Sequence, residues 1–112
     1  MRTILMMMLS SLMLGARAQS ETQFIIWGDN ATAMGDHYGA SRFYREALDQ
    51  DGGRMDLQWK YAEACRLSNQ YPQAAEYYEK VQRKDNGRTH KEALRWLGEM
   101  QLCSGDYDAA SK

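Results

Sequence analysis

The sequence predicts an all-α protein, an antiparallel helix-hairpin solenoid of about two and a half repeats. Three observations carry this expectation. The strings Gly35-Asp36-His37-Tyr38-Gly39-Ala40, Asn69-Gln70-Tyr71-Pro72-Gln73-Ala74 and Gly105-Asp106-Tyr107-Asp108-Ala109-Ala110 align without a gap and recur at a near-constant interval. A small residue stands seven positions before each string, at Gly28, Ala62 and Gly98. In the first two copies a Tyr and then a small or β-branched residue follow, as Tyr44 with Ala47 and Tyr78 with Val81. Self-similarity at a period of about 34–36 residues marks stacked helical hairpins, whose units bury a continuous core only by lying against one another.

The segment before Gln19 stands apart from this pattern. Arg2 supplies a positive start, Ile4 to Leu14 is almost wholly apolar, and Ala16-Arg17-Ala18 matches an A-x-A cleavage site. That apolar run is far short of the roughly 20 residues a spanning helix needs, and Met6-Met7-Met8-Leu9 has no polar face. Residues 1–18 are therefore expected to be a secretory signal, residues 19–112 the repeat domain, and the mature chain to have no transmembrane helix. No cysteine follows the cleavage site to carry a lipid anchor.

Six helices follow from the punctuation. The first is expected over about Glu21 to Met34, ending at Gly35, and the second over His37 to Asp49, broken by Asp51-Gly52-Gly53. The third is expected from Met55 to Ser68 and the fourth from Tyr71 to Arg83, stopped by Asp85-Asn86-Gly87. Thr89 is read as the cap of a fifth helix reaching Ser104, and a sixth is expected to begin near Tyr107. Gly35, Asn69 and Gly105 fall where the turn inside each hairpin needs a left-handed residue. Gly28, Ala62 and Gly98 are expected to face Ala40, Ala74 and Ala110, with Trp27, Tyr44, Tyr61, Tyr78, Leu94 and Leu97 filling the seams. Pro72 belongs in a first helical turn, where its missing N–H costs nothing.

Export would permit disulfides. Cys65 and Cys103 lie near the ends of the first helices of successive repeats. Helix axes sit about 8–10 Å apart while bridged Cα atoms lie within about 7 Å, so small buried thiols are expected rather than a bridge. The formal charge of −1 falls to near −3 on removal of Arg2 and Arg17, and charges of both signs are mixed along the chain. That balance lacks the basic patch nucleic-acid binding requires. His37 and His90, the two cysteines and scattered carboxylates make no catalytic constellation. H-x-x-x-H, C-x-x-C and H-E-x-x-H spacings are absent from the sequence. No enzyme activity, metal or cofactor is expected. His37 is expected to pack partly exposed, and His90 to be solvated.

These residues make the chain resemble the tetratricopeptide repeat (TPR) family over about residues 21 to 112. The usual inter-repeat proline is replaced by Gly52 and Asn86, and the third copy is incomplete at Lys112. The resemblance implies that repeat positions 2, 5, 9, 12 and 13 line a concave face. Position 9 then gives an acidic stripe of Asp29, Glu63 and Glu99. Beside it stand Trp59 and Arg95 at position 5, Arg66 at position 12, and Trp96. These seven residues are the expected partner-binding groove, the bland alternative being a solvated face whose acids pair with nearby Arg and Lys. Family members that grip chaperone tails hold a C-terminal carboxylate with Lys, Asn and Arg. Ile25, Asp29, Lys60, Glu92 and Trp96 stand at the matching places, and Asp29 and Glu92 would repel that carboxylate.

More narrowly, the signal, Gly-Asp-His-Tyr-Gly-Ala-Ser, Tyr61-Ala62-Glu63-Ala64-Cys65-Arg66-Leu67 and Glu92-Ala93-Leu94-Arg95-Trp96-Leu97-Gly98-Glu99-Met100-Gln101 are similar to the leading segment of Bacteroidota-type envelope proteins. Those continue into a WD40-like propeller and an OmpA-like peptidoglycan-binding domain, and some serve gliding and type IX secretion. The resemblance implies a protein–protein scaffold in the periplasm or at the outer membrane, docking a protein or peptide segment of an envelope complex. Peptidoglycan would be reached only through domains not present here. Two alternatives stay open: a small free periplasmic adaptor completed by its partner, and a positioning arm for an enzyme encoded downstream.

Overall fold

A computed structural model describes residues 20–105, and every described element is an α-helix or a short connection. The segment expected to be a signal, the helix expected near Tyr107 and the expected Ala110 contact lie outside those residues. Among the described residues the helices are α1 (20–33), α2 (His37–Gln50), α3 (Met55–Leu67), α4 (Tyr71–Asp85) and α5 (Ala93–Cys103). From α2 onward each helix packs on the next in chain order. Short turns reverse the chain each time, so consecutive helices form hairpins. No helix among the described residues is long and apolar enough to cross a membrane.

Side-chain period explains the packing. The buried residues of α2, Ala40, Ser41, Tyr44, Ala47 and Leu48, make a single helical stripe. On α4 the stripe is Ala74, Tyr77, Tyr78, Val81 and Asp85, and it meets Leu57, Tyr61, Ala62 and Cys65 of α3. Among the described residues Tyr78, Leu57, Val81 and Cys65 are the largest fully enclosed side chains, and all four belong to the α3–α4 hairpin. Each of the larger ones contributes about 1.5–3 kcal/mol by leaving water.

The two complete hairpin turns repeat bond for bond. Gly35 is left-handed at φ 78°, and the Asp36 amide donates to the Ala31 carbonyl at 2.9 Å. In the next copy Asn69 takes φ 64°, and the Gln70 amide donates to the Cys65 carbonyl at 2.8 Å. This bond across five residues satisfies a carbonyl that the ending helix would otherwise leave bare. Asp36 then caps α2, its carboxylate accepting from the Gly39 amide at 2.9 Å. At the start of α4 Pro72 occupies the first turn, as expected.

Four packing expectations need correction. Thr89 does not cap α5. The Asp85 carboxylate accepts from the Thr89 amide at 3.0 and 3.1 Å and from the His90 amide at 2.8 Å. Those bonds hold the chain in a loop until Glu92, so α5 starts at Ala93. Trp27 and Leu94 do not fill seams, being 44% and 61% exposed. Gly28 lies against the Tyr44 ring: a Cβ there would fall 2.4 Å from Tyr44 Cε1. Cys65 is a buried free thiol as expected, but Cys103 is an exposed one.

Candidate functional site

Each of the first two hairpins is tied by a tyrosine reaching an acid fifteen residues earlier. Tyr44 Oη donates to Asp29 Oδ1 at 2.7 Å, and Tyr78 Oη donates to Glu63 Oε1. Both rings come from the second helix of a hairpin and both acids from the first. Burial, helped by the adjacent carboxylate, pushes the Tyr44 hydroxyl up to about 12. The same causes, burial first, raise Tyr78. Both hydroxyls therefore stay protonated and act as donors at neutral pH.

The stripe acids are paired, and each has its own cation. Lys60 Nζ lies 3.0 Å from Asp29 Oδ1, bridging α1 to α3. Arg66 Nη2 lies 2.9 Å from Glu63 Oε2, while its Nε donates to Tyr78 Oη at 3.0 Å. Arg95 Nε stands 3.3 Å from Glu99 Oε1, one turn along α5. The stripe is thus a row of neutralised pairs, in keeping with the bland alternative. It is not a bare acidic rail.

The other expected site residues converge around Arg66. Its guanidinium carbon sits 3.9 Å from the Trp96 ring centre, and Arg95 approaches the same ring at 5.1 Å. Trp96 Nε1 donates to Glu92 Oε2 at 3.3 Å. Trp59 meets Tyr78 edge-on at 5.5 Å and stacks on His90 at 4.3 Å with an 18° tilt. Trp59, Glu63, Arg66 and Trp96 therefore form one cluster across α3, α4 and α5, flanked by Arg95 and Glu99. Asp29 lies apart from them, in the first hairpin.

Sequence reasoning missed three members. Lys60, Tyr78 in its bonding role, and His90 all belong to this face. The tyrosines were legible in principle, since Asp29–Tyr44 and Glu63–Tyr78 share one spacing and the second pair repeats the first one period later. His90 is held under Trp59 by the Asp85 loop rather than solvated, and no spacing rule reveals that. His37 is half-buried at the first residue of α2, and its Nδ1 is enclosed without a partner.

The remaining chemistry is quiet. Burial pushes the Cys65 thiol up to about 11, far from a reactive thiolate. Among the described residues no group of three His, Cys, Asp or Glu side chains is placed to hold a metal ion. No protein-family model matches the chain, and no curated protein matches it. What the face offers is two half-buried tryptophans, a stacked imidazole and a fixed guanidinium. That equipment suits contact with a partner surface.

Proposed function

We propose that this chain is a TPR-like repeat module whose first helices present a docking face, acting as a protein–protein scaffold in the cell envelope. One observation carries the reading: turn, left-handed residue and tyrosine–acid tie recur with the same bonds one repeat apart. Recurrence of bonding as well as of residue types supports a stacked array, and such arrays use extended faces for binding. The contact face is centred on Trp59 and Trp96, with Arg66 between α3 and α5; Glu63, Asp29, Arg95 and Glu99 fix its polar margin. In this reading the module is exported, has no catalytic role, and serves as the leading segment of a longer peptidoglycan-associated protein of the OmpA type.

A free periplasmic adaptor is the second reading. Leu94 and Leu102 of α5 are 61% and 48% exposed, an apolar face suited to cover by a further helix or by a partner. The test is site-specific photocross-linking in intact cells, with the probe at Trp59 or Trp96 and a control probe at exposed Arg88. The expected result is a discrete envelope-protein adduct from the two tryptophan positions and none from Arg88. Equal adducts from all three positions, or none, would overturn the docking face. The native mass of a species starting at Gln19 separates the readings: the mass of residues 19–112 alone means the adaptor, a much larger species the docking module.

A further inference from the structure

The outer side of α1 carries no charge. Its Asp, Glu, Lys and Arg residues are Glu21 and Asp29 alone, and both are drawn toward α3, by Arg54 at 2.9 Å and Lys60 at 3.0 Å. Away from α3, Gln23, Trp27, Asn30 and Met34 follow one another at steps of four, three and four residues, the spacing of a seam along which two helices pack. Trp27 is 44% exposed, Met34 77% and neighbouring Ile26 46%. Phe43 of α2 meets the Trp27 ring at 5.8 Å, so the apolar strip runs on across the groove between the two helices. An uncharged face that displays Trp and Met has the make-up of an interface core rather than of a solvated surface.

The adjoining flank of α2 is complementary to a copy of itself. Ser41 and Arg45 turn toward the second hairpin, where the Ser41 hydroxyl accepts from Gln70 at 2.9 Å and Arg45 lies 6.0 Å from the Tyr61 ring centre. Phe43 and Glu46 lie on the opposite flank, the side to which the α1 seam also faces, and Arg42 stands one helical turn before Glu46 at the edge of that flank. Arg45 and Asp49, at the same four-residue spacing, pair with each other. Among the described residues Arg42 and Glu46 are in no ion pair, so their charges are unspent. Arg42 and Glu46 are centred on Tyr44, and the α1 seam is centred between Gly28 and Asp29. Gly28 lies against the Tyr44 ring, so both centres fall at one level of the hairpin.

We propose that the α1–α2 hairpins of two copies pair about a two-fold axis, giving a four-helix contact between copies of this chain. The axis lies in the contact plane and crosses α1 and α2 at right angles, at the level of Gly28 and Tyr44. It lays α1 antiparallel on the partner's α1 and α2 antiparallel on the partner's α2, and it keeps each flank on its own side. Gln23 then meets the partner's Met34, and the two Trp27 rings lie side by side next to the two Phe43 rings. Arg42 faces the partner's Glu46, and Glu46 the partner's Arg42. The two copies of Arg42 are offset along the helices by about 6 Å, four residues of rise, as are the two copies of Glu46. Asp29 and Glu21 point toward α3 and stay out of the contact. A second copy is the occupant this pattern selects, because an unrelated partner gives no reason for both helices to be self-complementary about one level. The contact uses the leading hairpin and does not rest on the docking reading above, whose face is centred on Trp59 and Trp96.

Sedimentation equilibrium of the full chain, as the exporting cell delivers it, tests this, with circular dichroism to verify folding. The unaltered protein should be a dimer at about 100 µM, a concentration at which even modest contacts associate. Trp27→Lys should weaken the dimer at least about thirtyfold, the loss expected on removing a central Trp anchor. Arg42→Glu alone and Glu46→Arg alone should each raise the dissociation constant about threefold to tenfold, because each sets like charges face to face at both ion pairs. Mixing these two variants should give a heterodimer tighter than either homodimer, and both changes in one chain should return the original affinity. A monomer at about 100 µM would overturn the proposal. So would a dimer that Trp27→Lys leaves intact, which would place the contact elsewhere, for example on Leu94 and Leu102. A double variant no tighter than the single ones would refute the pairing of Arg42 with the partner's Glu46, and the proposal with it.

Discussion

Gly28 and Gly98 occupy the same repeat position, yet adding one methyl group to each should move stability in opposite directions. At Gly28 a Cβ would stand 2.4, 2.7 and 3.0 Å from three atoms of the Tyr44 ring. Ordinary contact needs at least 3.4 Å, so the ring must retreat by about 1 Å, and Tyr44 is only 3% exposed. Its retreat also pulls Oη from Asp29, now 2.7 Å away, and from Thr32 Oγ1 at 3.1 Å. Overpacking costs about 1–3 kcal/mol, and loss of a hydrogen bond to a charged group about 1.5–3 kcal/mol. The higher helix propensity of Ala offsets about 1 kcal/mol. Gly28→Ala should thus destabilise by about 2–4 kcal/mol, a fall in Tm on the order of 10–25 °C for a domain of this size. Among the described residues nothing lies within 4 Å of a Cβ added at Gly98, so against these neighbours Gly98→Ala should stabilise by about 0.5–1 kcal/mol. Thermal unfolding followed by circular dichroism, with urea titration as a check, reads both. A Gly28→Ala protein as stable as the original would refute the close approach of α1 to Tyr44.

Other perturbations test other parts of the same packing. Ala74 is fully buried, so Ala74→Leu should overpack α3 against α4 and cost about 1–3 kcal/mol by urea titration; an unchanged midpoint would mean the helix register is wrong. The His90 and Thr89 amides hold the Asp85 carboxyl below its usual range. Its contribution is therefore present above the unfolded value of about 3.9 and lost as pH falls through the lower folded value. An acid series of melting curves should show the gap between the original and Asp85→Asn closing there, and a constant gap would count against the loop-holding role. Tyr44, with its folded value raised to about 12, works at the other extreme. Stability should be intact below about pH 10 and fall as pH rises toward about 12. Tyr44→Phe should flatten that alkaline limb.

Legibility in the sequence tracked how local the physics was. Gly35, Asn69 and Gly105 were readable because few residue types tolerate a left-handed backbone, and all three adopt it. The start of α5 was not readable. Thr89 looks like a cap, but Asp85 reaches forward to take the Thr89 and His90 amides, and a competing bond of this kind has no periodic signature. Burial of Trp27 and Leu94 depends on what neighbouring helices present, so hydrophobic spacing alone misplaced both. The acid stripe was found, but its partners are Lys60, Arg66, Arg95 and two tyrosines from the second helices of the hairpins. Arg66 and Arg95 lie within a turn of their acids and were in reach of local spacing, whereas Lys60 comes to Asp29 from another helix, which charge at a position does not reveal.

The two joints between successive hairpins share apolar packing but differ in their polar fastenings. The first hairpin is fastened to α3 by Asp29–Lys60 and by Arg54 on Glu21, both partly open to water. The second is fastened to α5 by Arg66 on Trp96, and Trp59 on His90 ties α3 to the loop before it. Dissolved ions weaken the former and barely touch the latter. In brine the ionic ties of the leading hairpin should weaken while the apolar packing of α2 on α3 still holds that joint, so salt should take more stability from the first joint than from the second.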